Sequence, residues 1–195
     1  MSEIVRMVVV LSLIAGFSAA ALTAANIQLG PRVDAQTDFY VRGPALERLF
    51  KKPAKEVLEN KIVITSDGLP VPIFYILKDK EVSDLAVEAI GKGGYGGDLK
   101  IMVGIDLVNE RQTGMEVVSH SETPGLGARI VEPGFRRQWQ GLPIDTPMAL
   151  TSDGGEIDAI SGASTTSRAA VNGTNDVLVF VREHKDEILK KISER

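Results

Sequence analysis

A chain of 195 residues with 44% hydrophobic content has room for one domain of ordinary size and its core. Its formal net charge of −4, with lysines and arginines scattered rather than gathered into a stripe, argues against nucleic-acid binding. The absence of cysteine excludes disulfides and Cys-ligated zinc or iron–sulfur centres, and two histidines, His120 and His184, argue against a dedicated metal site, so a redox role needs an organic cofactor.

In chain order, Met7 to Ala25 comes first and carries no charge. At 1.5 Å per residue it spans about 28 Å, close to a hydrocarbon core of about 30 Å, and it reads as a retained transmembrane helix. The competing reading is a signal peptide, because Ala19-Ala20-Ala21 resembles a cleavage site. Arg6 on one side and Arg32 and Arg42 on the other leave the orientation undecided by the positive-inside rule. The expected division is an anchor over residues 1–26 and one domain over 27–195.

Gly43-Pro44 and Lys52-Pro53 punctuate a short amphipathic helix around Ala45 to Phe50, a connector to the anchor. Lys61 to Thr65 and Val71 to Leu77 are β-branched and aromatic runs across Ser66-Asp67-Gly68-Leu69-Pro70, a hairpin pattern. Leu99 to Ile105 and Met115 to Val118 read as further strands. Thr165 to Ile192 is the C-terminal helix, with Val177, Val181, Ile188 and Ile192 near one face and Gly173 weakening its first half. Early strands, a late long helix and no βαβ alternation predict an α+β domain with antiparallel strands.

Chemistry concentrates at the start of that last helix, in Ser161-Gly162-Ala163-Ser164-Thr165-Thr166-Ser167 after Asp158. Free N–H groups and the positive end of the helix dipole hold an anion there without a cationic pocket, the arrangement of a phosphate site. The bland alternative is plain capping, with Ser161 or Ser164 accepting from a backbone N–H. Arg168, one turn after Ser164, either neutralises a bound phosphate or is an ordinary solvated arginine. Trp139 either covers a ring or packs in the core, the latter being the usual fate of tryptophan. No serine-hydrolase elbow and no nucleotide P-loop is present.

The pattern Asp-x-x-Ser-Gly-Ala-Ser-x-Thr-Ser closely resembles the flavinylation motif of the FMN-binding-domain family. Two further segments, Gly93-Gly94-Tyr95-Gly96-Gly97 and Glu122-Thr123-Pro124-Gly125-Leu126-Gly127, resemble that family's glycine turn and prolyl loop, in the family's order. The resemblance covers nearly the whole chain and is greatest to the G subunits of the Rnf complex, the ion-translocating ferredoxin:NAD oxidoreductase. The C subunits of sodium-translocating NADH:quinone reductase are the nearest rival, but generally carry extra sequence.

The resemblance implies covalent FMN in phosphoester linkage on Ser164, with Thr165 and Thr166 as substitute acceptors. The family's usual acceptor is threonine, and serine offers the same oxygen with looser rotamers. It further implies cofactor contacts from Ser161, Gly162, Ala163, Glu122, Thr123, Leu126 and Gly127, and a role for Asp158 in recognition by a flavin transferase. The glycines let backbone approach a flat ring, though a tight turn between elements explains the Gly93 to Gly97 run as well. The implied role is a redox subunit without independent catalysis, its flavin domain outside the cytoplasm and its partners the other membrane subunits of the complex. A membrane-anchored scaffold domain with a merely capped helix is the non-enzymatic alternative.

Overall fold

The apolar N-terminal run forms α1, Glu3–Thr37, none of whose residues is buried and whose interior carries Pro31. It lies in a helical stretch long and apolar enough to cross a membrane, with a mean hydropathy of 2.2 over its most apolar window. The computed structural model describes residues 2–66, 68–79 and 81–194. Met1, Lys80, Arg195 and Asp67 of the expected hairpin turn lie outside the described residues. The chain divides into two compact units, Met1–Asp38 and Phe39–Arg195, so helix continues well past Ala25 before the second unit begins.

A π-helical segment, Asp38–Arg42, precedes α2, Gly43–Phe50, and α3, Ala54–Leu58. The expected amphipathic helix is therefore α2, and its Ala45, Leu46 and Leu49 are buried, which makes it part of the core and not only a connector. Five strands follow: β1 Lys61–Ser66, β2 Leu69–Lys78, β3 Glu81–Gly94, β4 Gly97–Asp106 and β5 Arg111–Ser119. They pair antiparallel in sequence order, β1-β2-β3-β4-β5.

The central strands are buried on both faces, and side-chain alternation assigns each face its own core. Phe74, Ile76, Ala86 and Met102 meet α2 and α3 in one cluster. Ile73, Tyr75, Leu85, Val87, Ile101 and Val103 belong to the other, which the C-terminal helix covers.

After β5 the chain runs through a short 3-10 turn, Gly127–Val131, then α4, Pro133–Arg136, and two further 3-10 turns, Arg137–Trp139 and Thr151–Asp153. Ile130, Phe135, Trp139, Leu150 and Ile157 of this irregular stretch add to the core against the last helix, α5, Ser164–Ser193. Asn175 of α5 holds the stretch by its backbone, accepting from the Met148 N–H at 2.8 Å and donating to the Met148 carbonyl at 2.9 Å. Val177, Val181, Ile188 and Ile192 lie on the buried stripe of α5.

Candidate cofactor-binding site

The start of α5 is made by a glycine and a serine in unexpected roles. Gly162 turns the chain in the left-handed region at φ +78, and Ala163 takes the N-cap position. No side chain caps the helix, so the expectation that Ser161 or Ser164 accepts a capping bond is corrected. The local closure comes instead from Ser167, whose Oγ accepts from the Ile160 N–H at 2.9 Å and donates to the Ala163 carbonyl at 3.0 Å. A buried serine inside the first turn satisfies the chain entering the helix and leaves the helix's own first donors alone. The first intrahelical bond is Ser167 N–H to the Ala163 carbonyl, at 3.1 Å. The N–H groups of Ser164, Thr165 and Thr166 thus face outward at the positive end of a 30-residue helix, the setting that favours an anion.

The three hydroxyls after Ala163 are not equivalent. Ser164 and Thr165 are exposed, whereas Thr166 is fully buried and its Oγ1 has no hydrogen-bond partner. A buried hydroxyl is closed to a modifying enzyme in the folded domain. This separates Thr166 from the two other acceptors that the motif offers.

The prolyl loop and the glycine turn meet this helix start. Glu122 is 5% exposed, and its Oε1 accepts the Gly96 N–H at 3.2 Å. Gly96 is pressed onto the same loop, because a Cβ there would stand 2.9 Å from the Glu122 Cα. Gly127, buried at the loop's end, sits between the Glu122 carboxylate and Thr166, with room for no side chain: a Cβ would lie 2.8 Å from the Glu122 Cδ and 2.9 Å from the Thr166 Oγ1. Half-exposed Leu126 approaches Gly162. Three segments far apart in sequence therefore form one surface, with Thr123, Ser161 and Ser164 exposed upon it.

Other expected contributors lie elsewhere. Arg168 is bound to Asp153, whose carboxyl it holds below its ordinary value by hydrogen bonding, so a lone cation awaiting a phosphate is not what the sequence provides there. Trp139 is fully buried, stacks edge-on with Phe135 and donates from Nε1 to the Thr174 Oγ1 at 2.9 Å, so it packs in the core and covers no ring. Asp158 is exposed and bracketed through its backbone by Gln138. A hollow of about 520 Å³ lies between the β1–β2 hairpin, β3 and α5, but no residue of the three motifs lines it.

The residues present fit a phosphate-bearing flavin. An uncapped helix start supplies donors for the phosphate, Ser164 supplies an exposed hydroxyl, and two side-chain-free backbone segments flank them with an unpartnered buried carboxylate oxygen beneath.

Sequence comparison agrees with this geometry. The family model described as "FMN-binding domain" matches residues 94–179, a span that takes in all three segments except Gly93. The G protein component of the ion-translocating oxidoreductase complex of Shewanella piezotolerans is 32% identical over 145 residues, 69% of this chain and 68% of the relative. The chain belongs to that G-subunit family. Its counterpart from Aliivibrio fischeri is 36% identical over 138 residues, covering 68% of this chain and 65% of its own length. Among solved structures, NqrC of Shewanella oneidensis aligns with a TM-score of 0.49 at 22% identity, over 62% of this chain and 64% of that one. Within the G-subunit family, then, the hydroxyl motif of this member is read as a flavin site.

Proposed function

We propose that the chain carries FMN in phosphoester linkage on Ser164 and relays electrons within an ion-translocating ferredoxin:NAD oxidoreductase complex. The observation that supports this most is the start of α5, where an exposed Ser164 hydroxyl stands beside three uncapped N–H groups in the one place where the glycine turn and prolyl loop converge. A bound flavin supplies reversible electron acceptance and donation. The chain's own residues position it. The N–H groups of Ser164, Thr165 and Thr166 stabilise the single negative charge left on a phosphodiester. Gly96 and Gly127 keep side chains away from the backbone that the ring approaches.

Attachment forms one bond between Ser164 Oγ and phosphorus. It breaks one phosphoanhydride bond of an activated flavin nucleotide, whose leaving phosphate takes the electron pair while a base of a flavin transferase takes the hydroxyl proton. Helix α1 anchors the protein in the membrane, with the flavin domain on the extracytoplasmic side and the complex's other membrane subunits as its partners. A tethered cofactor stays at high effective concentration for those partners.

The full-length chain, coexpressed with a flavin transferase, decides the matter by colour and mass. Flavin fluorescence that stays with the denatured polypeptide, and a mass raised by one FMN residue, are the expected results. A colourless chain of unmodified mass contradicts the proposal and leaves a membrane-anchored scaffold.

A further inference from the structure

Glu122 is the residue whose burial plain loop structure explains least. It is an acidic side chain, 5% exposed, in a loop between β5 and the first 3-10 turn. Burying a carboxylate is unfavourable unless its oxygens are bonded. Only one is: Oε1 accepts the Gly96 N–H, and Oε2 has no partner. The unsatisfied Oε2 lies against Gly127, and so does the other unpartnered buried oxygen of this region, Thr166 Oγ1.

Geometry forces these contacts to be side chain against bare backbone. A Cβ on Gly94 would approach Glu122 Oε1 to 2.6 Å, and a Cβ on Gly96 or Gly127 would collide with Glu122 itself. The glycines at 94, 96 and 127 thus make room for one carboxylate. Such an arrangement costs backbone entropy at three glycines and leaves two polar atoms unpaired, a sacrifice expected at a site and not in a packing core.

We infer that Glu122 is a positioning residue for the flavin and not one of its contacts. Its carboxylate is a strut: Oε1 fixes the glycine turn, while the body of the side chain carries Gly127 and, through Gly127, the first turn of α5 at Thr166. The turn, the prolyl loop and the acceptor Ser164 are thereby held as one body, so the ring meets a preset backbone surface when the phosphate is on the helix start. Reach matters more than charge, since the carboxylate must extend to the Gly96 N–H. This inference rests on the flavin reading for its link to the ring, but the strut exists with or without a flavin.

The test separates the two. In the full-length Ser164→Ala chain, which carries no flavin on residue 164, amide exchange at Gly96 reads the strut alone. Glu122→Ala and the shorter Glu122→Asp should each speed that exchange about tenfold, the loss expected of a charge-assisted hydrogen bond, whereas Glu122→Gln, which keeps both length and Oε1, should not. In the chain with Ser164 intact and flavin attached, Ala and Asp should move the flavin's visible circular dichroism and midpoint potential, and Gln should restore the dichroism. Unchanged Gly96 exchange in Asp, or lost protection in Gln, overturns the strut even if the Ala variant does not fold. Faster exchange with unchanged dichroism and potential overturns its link to the flavin. A wild-type chain that takes up no flavin refutes the proposed function, and the exchange arm still decides the strut.

Discussion

Gly173 of α5 and Gly91 of β3 touch backbone to backbone: a Cβ built on Gly173 would lie 2.9 Å from the Gly91 Cα, and one on Gly91 would lie 2.5 Å from the Ala169 carbonyl oxygen. A helical glycine costs about 1 kcal/mol relative to alanine. Here it lets the helix settle on the sheet, which sets the height of the α5 start above the end of β3.

Alanine at 173 should therefore destabilise the protein despite its better helix propensity. Overpacking by one methyl against immovable backbone costs about 1–3 kcal/mol, more than the propensity gain. Urea denaturation of Gly173→Ala checks this, and a more stable variant contradicts the close approach.

A second prediction concerns Glu116, on the face of the sheet that α2 covers. Its two oxygens serve two cations, Arg48 of α2 at 2.5 Å and Arg136 of α4, and it is almost fully buried. Removing the shared anion leaves Arg136, itself largely buried, without it, so Glu116→Ala should cost about 3–5 kcal/mol. Denaturation of Glu116→Ala against Arg48→Ala measures it. Because Arg48 is half exposed, its loss should cost clearly less. Equal costs for both variants would argue against the buried bridge.

The third prediction uses pH. Hydrogen bonding from Arg168 lowers the Asp153 carboxyl below its ordinary value, and the same bond raises the Arg168 guanidinium. A depressed carboxylate contributes stability that is present above its unfolded value, about 3.9, and is lost as pH falls through the lower folded value. Both groups are solvent-exposed, so the effect is small. Arg168→Gln should thus differ slightly from wild type at neutral pH and converge with it in acid, while keeping its covalent flavin. Loss of attachment in this variant would return Arg168 to the phosphate.

Legibility followed the range of the interactions. The anchor, α5 and four of the strands show in the sequence because their periodicity is local. The central strand β3 does not. Its Glu81 to Gly94 run mixes charges with small residues, since Leu85, Ala86 and Val87 are buried on both faces and Gly91 must admit the helix backbone; neither alternation nor bulk marks it. The hydroxyl motif is equally plain in sequence, yet its capping is not: Ser167 does what Ser161 or Ser164 was expected to do, because which serine turns inward depends on packing. That Glu122 joins the glycine turn to Gly127, and that Arg168 belongs to Asp153, are contacts between residues remote in sequence. Composition does not encode them.

The central claim is that Ser164 holds the flavin, and peptide mass spectrometry of three full-length chains, each coexpressed with a flavin transferase, tests it most directly. Wild type and Ser164→Thr should carry the FMN mass on residue 164, and Ser164→Ala should carry none and lose all denaturation-resistant fluorescence. Flavin retained by Ser164→Ala, with the added mass on exposed Thr165, would contradict the assignment.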